Sequence, residues 1–512
     1  MTGPTSHREV ELKLRVHALF DLPDLVTLGA ASGVEVHETF TMDAVYHDTA
    51  ELTLFRWGIT LRRREGGGDE GWHLKLPVAG ADGSTRDEVR MPLSSGPVGS
   101  VPPELLELVS PLLRGRRVTA VLTLHTERTP RILSNSSGAP LAELVDDTVS
   151  IFHNGRLSSV FREIEVEAIN PDDPASLAAV EHAAGLLVTA GAEPTTVSKA
   201  ASALGPRTQL PPDVPLLPMP TPTDLAVDAI RAVMCLHVRH LLLADIAVRR
   251  NLPDSVHQMR VAARRLRSAL ATFAPLLDHD SAAMLKEELK WLASELGAIR
   301  DTEVMQERLD AHAGELDDPA DTERARAAID PILTRRLIGA RSSALAALRS
   351  DRHATLVDDL VSAAIDPPVV DAAFAPCDVA LLPLVARTWR RLEKAADELT
   401  LEMESVIWHE ARIKAKRARY AADAVATIFG RDMQKFASAL AQVTEVLGDH
   451  QDAFVAQTIL REISSHQETD GVTGMALGLL HEYEAEEEIL DRVRFSTLWP
   501  DVRRIARKAG MD

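Results

Sequence analysis

A chain of 512 residues with 45% hydrophobic and 26% charged residues is too long for a single core, so two or more globular domains are expected. Its net charge of −20 excludes nucleic-acid or anion binding through the overall field, so any polyanion site must be a local basic cluster. Two cysteines, Cys235 and Cys377, exclude a disulfide framework, and with no signal-peptide pattern and no uninterrupted apolar span the expectation is a cytoplasmic protein without membrane attachment.

The first readable element is "EVELKLRV", residues 9–16. Glu9, Glu11, Lys13 and Arg15 share one strand face, and Val10, Leu12, Leu14 and Val16 the other. Further short alternating runs follow, among them "ITLRRRE", "GWHLKLPV", "STRDEVRMPL", "VTAVLTLHTERT", "LAELVDDTVSIF" and "FREIEVEAI". Gly, Pro, Asp and Ser separate them, and "EGGGDEG" reads as a hairpin turn. Seven or eight antiparallel strands at such spacing predict a barrel or sandwich, with short helices near 21–32, 102–113 and 174–190.

Charge is sorted along these strands. Glu9 and Glu11 lie in the first, and Glu163, Glu165 and Glu167 alternate in the last. Between them come Arg62, Arg64, Lys75, Arg86, Arg90, Arg128 and Arg131. Like charges at i and i+2 repel unless something neutralises them. Carboxylates in this pattern suit a hard cation such as Mg²⁺ or Mn²⁺, and the cations suit phosphate oxygens.

Residues 205–222, "GPRTQLPPDVPLLPMPTP", hold seven prolines in eighteen positions and read as a linker between a domain of residues 1–204 and one of 223–512. Beyond it the period becomes helical to the end of the chain. "VHQMRVAARRLRSA" from Val256 and "WHEARIKAKRARYA" from Trp408 align at an offset of 152, and "LGAIRDTEV" meets "LGDHQDAFV" at 151. His257, Arg260, Arg264 and Arg267 share one helix arc of roughly 80°, and His409, Arg412, Lys416 and Arg419 repeat it. Two homologous helical halves about a pseudo-twofold axis are expected, with the paired ladders as a polyanion site.

The barrel half resembles the CYTH family, the triphosphate tunnel metalloenzymes. "EVELKL" looks like its ExExK signature, "YHDTAELTL" its Tyr-x-Asp-Thr segment, "TLRRRE" and "HLKLP" its basic strands, "AELVDD" its Glu-x-x-Asp segment, "EIEVE" its closing glutamates and "TVSKA" its late Ser-Lys. The resemblance implies an eight-stranded antiparallel β-barrel tunnel that binds triphosphate. It implies Glu9, Glu11, Lys13, Glu165 and Glu167 as the catalytic set. Glu9, Glu11, Glu163, Glu165, Glu167 and Asp146 would hold Mg²⁺ or Mn²⁺, with Glu143 a further carboxylate on the metal side. Lys13, Arg62, Arg64, Lys75, Arg128 and Lys199 would grip phosphates while metal-polarised water attacks the terminal phosphorus. Arg86 and Arg131 are weaker candidates for the basic wall.

The helical half resembles the CHAD (conserved histidine α-helical) family through "HQMRVAARRLR", "LGAIRDTEV" and "HEARIKAKRARY". That implies two pseudo-symmetric four-helix bundles around a basic groove for inorganic polyphosphate, with Gln451 standing where the first copy has Arg300. The multidomain α+β protein so expected is an inorganic triphosphatase joined to a polyphosphate-binding domain. Its partners would be inorganic triphosphate and polyphosphate, with no nucleic acid and no membrane. The rivals are a thiamine- or nucleoside-triphosphate enzyme, an adenylate cyclase, and a non-catalytic polyphosphate binder.

Overall fold

The computed structural model describes residues 5–26, 31–78, 85–96, 99–153, 156–465 and 470–511. Two compact units divide the chain, Met1–Asp213 and Val214–Asp512. The proline-rich stretch is shared between them. In the first unit, Pro211 O accepts from Arg56 Nε at 2.7 Å, and Asp213 is held by Arg116 at 2.8 Å and by Trp57 Nε1 at 3.1 Å. In the second, Val214 O accepts from Arg239 at 3.2 Å.

The strands of the first unit are β1 (Thr5–Val16), β2 (Gly33–Val36), β3 (Phe40–Asp48), β4 (Thr60–Glu65), β5 (Gly71–Pro77), β6 (Thr85–Met91), β7 (Thr119–Ser134), β8 (Pro140–His153), β9 (Arg156–Ala168) and β10 (Glu193–Pro194). Eight close into an antiparallel barrel in the order β1-β6-β5-β4-β3-β7-β8-β9 and back to β1, while β2 and β10 pair outside that ring. Closure satisfies every strand edge in the ring and sends alternate side chains into the lumen.

Its helices are α1 (Thr53–Arg56), α2 (Pro103–Leu108), α3 (Ser110–Leu113), α4 (Pro174–Thr189) and α5 (Lys199–Leu204). The helix expected over 102–113 is therefore two short pieces that meet at Val109, just before Pro111. Residues 21–26 and 31–32 are not helical. On the outer face α4 packs Val180, Ala183 and Leu187 against Leu14, Leu144, Ile164 and Val166, the apolar phase of β1, β8 and β9. At one end of the barrel, inward-facing Ala44, Tyr46, Leu122, Leu124, Val149 and Ile151 pack around Ala200, so α5 plugs the lumen.

The second unit runs through α6 (Ala226–Arg249), α7 (Ser255–Thr272), α8 (His279–Ala313), α9 (Pro319–Leu348), α10 (Asp351–Ile365), α11 (Cys377–Ala380), α12 (Leu382–Asp397), α13 (Ser405–Phe429), α14 (Arg431–Ser464) and α15 (Gly471–Lys508). In sequence-neighbour order α6–α9 pack as one four-helix half and α12–α15 as the other, with α10 laid on α6, α8 and α9. The halves meet along α7 and α13, and through a core in which Met305, Leu309, Ile329 and Leu333 touch Leu460, Ile463, Leu477 and Leu480. Glu484 of α15, fully buried, is bound by Arg308 at 2.8 Å and His312 at 2.7 Å from α8, which fixes the register of that contact.

Asp48, also fully buried, ends β3 and starts α1. Its carboxylate accepts backbone N–H groups of Thr49 at 2.6 Å, and of Leu54 and Phe55 at 2.9 Å each. Burial raises its pKa against the pull of those donors. Asp48→Ala orphans three buried donors at about 1–3 kcal/mol each. The barrel's urea midpoint should therefore drop by an amount corresponding to roughly 3 kcal/mol or more; an unchanged midpoint would mean the donors find other acceptors.

Candidate functional site

The barrel encloses a lumen of about 480 Å³. Strand parity decides what faces it: Glu11 and Lys13 from β1, Arg62 and Arg64 from β4, Lys75 from β5, Arg86 and Arg90 from β6, Arg128 from β7, Glu143 and Asp147 from β8, Glu165 and Glu167 from β9, and Lys199 from α5. With Asp69 from the β4–β5 turn, eight cations line the cavity against six carboxylates. An excess of positive charge inside a chain of net −20 marks the lumen as a local anion trap.

The acidic end is a row across three strands. Glu11 pairs with Glu167 in the β1–β9 register, and Glu167 with Glu143 in the β8–β9 register. Directly opposed like charges cost stability unless a cation sits among them. Burial works to raise the Glu11 pKa, but the charges of Lys13 and Lys75 outweigh it and leave it lowered. Lys13 Nζ lies 2.5 Å from Glu11 and 3.9 Å from Glu165.

The deep end is a cross-linked set of opposite charges. Arg128 makes two bonds to Asp147, at 2.8 and 2.6 Å, and one to Glu165 at 3.1 Å. Lys199 lies 2.7 Å from Asp147 and 2.8 Å from Glu165. Burial alone would raise the Glu165 pKa; Lys199, Lys13 and Arg128 hold it well below the usual carboxylate range. Arg62 stands 3.5 Å from the Tyr46 hydroxyl, and Lys75 and Arg62 lie 3.8 and 3.9 Å from buried Glu88, which is also held by His73 at 2.8 Å and by Arg90. Arg64 pairs with Asp69, and burial beside Arg62 pushes its guanidinium down to about 10.

Two metal-ligand expectations are corrected. Asp146 faces out of the barrel, clamped by Arg162 through two 2.8 Å bonds and approached by Arg131 at 3.8 Å. The reason is parity: Glu143 and Asp146 are three apart on one strand, so they point oppositely, and Asp147 takes the inner place. Arg131 is displaced by the same rule, three residues from Arg128. Glu163 shares the inward phase but lies beyond the lumen, fully buried under the plug, with Arg15 and Lys199 each 3.6 Å away. Burial pushes its carboxyl up to about 7. Glu9 pairs its backbone with Arg86 in the β1–β6 register; its side chain lies outside the described residues.

Among the described residues no three His, Cys, Asp or Glu side chains are gathered as a ready-made ion site. The donor chemistry of Glu11, Glu143 and Glu167 nevertheless fits a hard divalent cation: three carboxylates in one row, all facing the cavity. Asp147, Asp69 and Glu88 were not singled out from sequence. Period-2 parity would have found the first, whereas Asp69 lies in a glycine-rich turn that carries no periodicity.

In the helical unit the two ladders converge. Arg260 and Arg264 of α7 and Arg412, Lys416 and Arg419 of α13 lie within one another's field, and the Tyr420 ring sits under Arg264 at 5.4 Å and Arg419 at 5.9 Å. Nε of Arg264, Arg412 and Arg419 is buried with no acceptor among the described residues. Arg260 is tied to Asp301 at 2.9 Å and to Gly297 O at 3.1 Å. Asp452, one repeat later, lies in the field of Arg412. His409 bonds to Gln451, whereas its counterpart His257 faces the charge of Arg300; the exchange of Arg for Gln thus turns a repulsion into a hydrogen bond. Arg267 is half-buried further along α7, without an ion pair among the described residues.

Burial, followed by Arg412 and Arg264, pushes Lys416 down to about 7. After reductive ¹³C-methylation, the Lys416 resonance should titrate near pH 7 while exposed lysines titrate above 10. A Lys416 midpoint near 10 would disprove the clustering of the ladders.

The CYTH domain model matches residues 7–190 and the CHAD domain model matches residues 232–461. A curated relative, "Uncharacterized protein MT2285" of Mycobacterium tuberculosis (strain CDC 1551 / Oshkosh), is 36% identical over 507 residues, covering 94% of this chain and 94% of its own. Among solved structures, PptA from Streptomyces chartreusis aligns at 24% identity and a TM-score of 0.48, over 54% of this chain and 99% of that one. The CHAD domain from the plant Ricinus communis aligns at 23% identity and a TM-score of 0.47, over 57% of this chain and 95% of its own.

Proposed function

The chain belongs to the proteins that join a CYTH domain to a CHAD domain, and on that premise we propose that its barrel hydrolyses inorganic triphosphate while its helical unit binds polyphosphate. The observation that carries this reading is one enclosed lumen with a row of three carboxylates at one end and a cationic wall around the rest.

Arg62, Arg64, Lys75, Arg128 and Lys199 bind phosphate oxygens. Arg62, Lys75, Arg128 and Lys199 are already poised against acids that the substrate can replace. Asp147 orients Arg128 and Lys199 together, and Glu88 aims Lys75 and Arg62, so these acids hold the wall in place until substrate arrives. Lys13, between the row and Glu165, neutralises charge where both ends meet. A divalent ion held by Glu11, Glu143 and Glu167 would supply Lewis-acid polarisation and charge neutralisation. Around a tripolyphosphate the fixed cations stabilise the charge that accumulates on the departing pyrophosphate.

A second reading, an organic triphosphate, is favoured by one feature. Phe40, Met42, Leu124 and Pro130 give β3 and β7 an apolar strip along the lumen, on which an organic moiety could rest. Phosphate release from inorganic triphosphate, thiamine triphosphate and ATP separates the readings; no release from any of them would leave the tunnel a binding module.

Arg64→Ala should lower kcat/KM about ten- to a hundred-fold, the worth of a charge-assisted bond of roughly 1.5–3 kcal/mol. Glu11→Gln should abolish most turnover, as should EDTA, with Mg²⁺ or Mn²⁺ restoring the wild type. Asp147→Ala should impair turnover and Asp146→Ala should not; the reverse pattern would invert the assigned register.

For the helical unit, polyphosphate affinity should fall with salt. It should also fall from pH 6 to pH 8, because Lys416 loses its proton across that window, facing Arg412 on its own helix, Arg264 and Arg260 on α7 and Asp452 on α14. Burial lowers the His257 pKa on α7, so this histidine gains its charge later than an ordinary imidazole as pH falls. Calorimetry that finds equal affinity at both pH values would remove Lys416 from the site.

A further inference from the structure

Outside the lumen and the α7–α13 groove, one more cleft concentrates positive charge. It has a volume of about 520 Å³, and Arg391 and Lys394 of α12 line it together with Lys414 and Arg417 of α13. Each pair is spaced i, i+3, so two cations share a helix face and repel. None of the four has an ion-pair or hydrogen-bond partner among the described residues. Elsewhere in this unit Arg308, Arg336, Arg352, Arg494 and Arg503 each hold a carboxylate. The cleft has one carboxylate of its own, Glu398, at the C-terminal end of α12.

The site is separate from the groove. Lys414 and Arg417 project from α13 roughly 100–160° around the axis from Arg412 and Lys416. It is also not a by-product of the internal repeat. At the offset of 152 the four positions correspond to Arg239, Leu242, Ala262 and Arg265. There Leu242 and Ala262 are buried, and Arg239 donates to the carbonyl of fully buried Val214, so the chain's own entering segment lies at that position. In the second half two lysines replace the apolar pair and the cleft stands open.

We propose that this cleft is a second anion site that takes a compact condensed phosphate, of the size of pyrophosphate or triphosphate. Two guanidinium forks offer paired donors matched to phosphoryl oxygens, and two ammonium groups add point charges. Four permanent cations around so small a volume suit a short, multiply charged ligand better than an extended polymer, which would engage only part of its length. The proposal does not depend on polyphosphate binding in the groove.

Site-resolved acetylation of the full chain by a limiting N-hydroxysuccinimide ester tests it, with inorganic triphosphate as the probe and no divalent ion present. At ten times the half-protecting concentration, Lys394 and Lys414 should label about tenfold more slowly. Exposed Lys290 and Lys435 should be unaffected. The double variant Arg391→Ala/Arg417→Ala should lose that protection while Lys416, which reports the groove and the integrity of the fold, labels as in the wild type. Unchanged labelling of Lys394 and Lys414 by triphosphate overturns the proposal. So does protection that survives in the double variant, and so does equal protection by citrate, which would make the cleft a general carboxylate and phosphate trap.

Discussion

Closing a ring of eight strands leaves half of their side chains nowhere to go but inward. In this barrel many of those side chains are charged, and a charge away from bulk water must find an opposite one. Asp147 and Glu165, shared between Arg128 and Lys199, are the centre of that balance. Lys13, Lys75 and Arg62 extend it to Glu11 and Glu88. The internal pairs keep the cationic wall extended and pre-aimed before any ligand arrives, so a polyanion exchanges one set of acceptors for another with little rearrangement of the wall.

The helical unit handles the same problem differently. Its ladders are set against each other, with five cations around Tyr420 and few acids among them. Asp301 anchors Arg260 and Arg419 reaches Thr444 and Asp423, while Arg264 and Arg412 keep a buried Nε without an acceptor among the described residues. The strain shows in Lys416, whose proton is loosened by burial and by its neighbours. Repulsion of this kind weakens the free fold and is relieved by a bound anion, so ligand should raise the unit's melting temperature as well as fill its groove.

Much of this was legible in the primary structure because both folds rest on simple periods. Alternation put Glu11 with Lys13, Arg62 with Arg64 and Glu165 with Glu167 on common strand faces, the CYTH resemblance turned those faces inward together with Lys75 and Arg128, and the offset repeat paired α7 with α13. What escaped was what period alone does not carry. The Glu-x-x-Asp motif points to Asp146, whereas strand parity from Glu143 puts Asp147 inside. Glu163 has the right phase but lies beneath a plug made by α5, thirty-six residues later, and nothing local announces that. Asp69 sits in a turn. Asp301 and Asp452 were within the repeated segments, but their arginine partners belong to other helices, a relation that only packing reveals.

The plug has a consequence for how the barrel comes into being. Glu11 in β1 faces Glu167 in β9, and the charges of Glu165 and Asp147 find Lys199 only after β10 has been made. As the chain is synthesised, the first strand therefore waits until β9 before its second edge is covered, and Asp147 and Glu165 share Arg128 alone until α5 brings Lys199. A barrel excised at residue 190, where the CYTH match ends, would stay in that state: strands complete, one end open, and its acids short of a lysine.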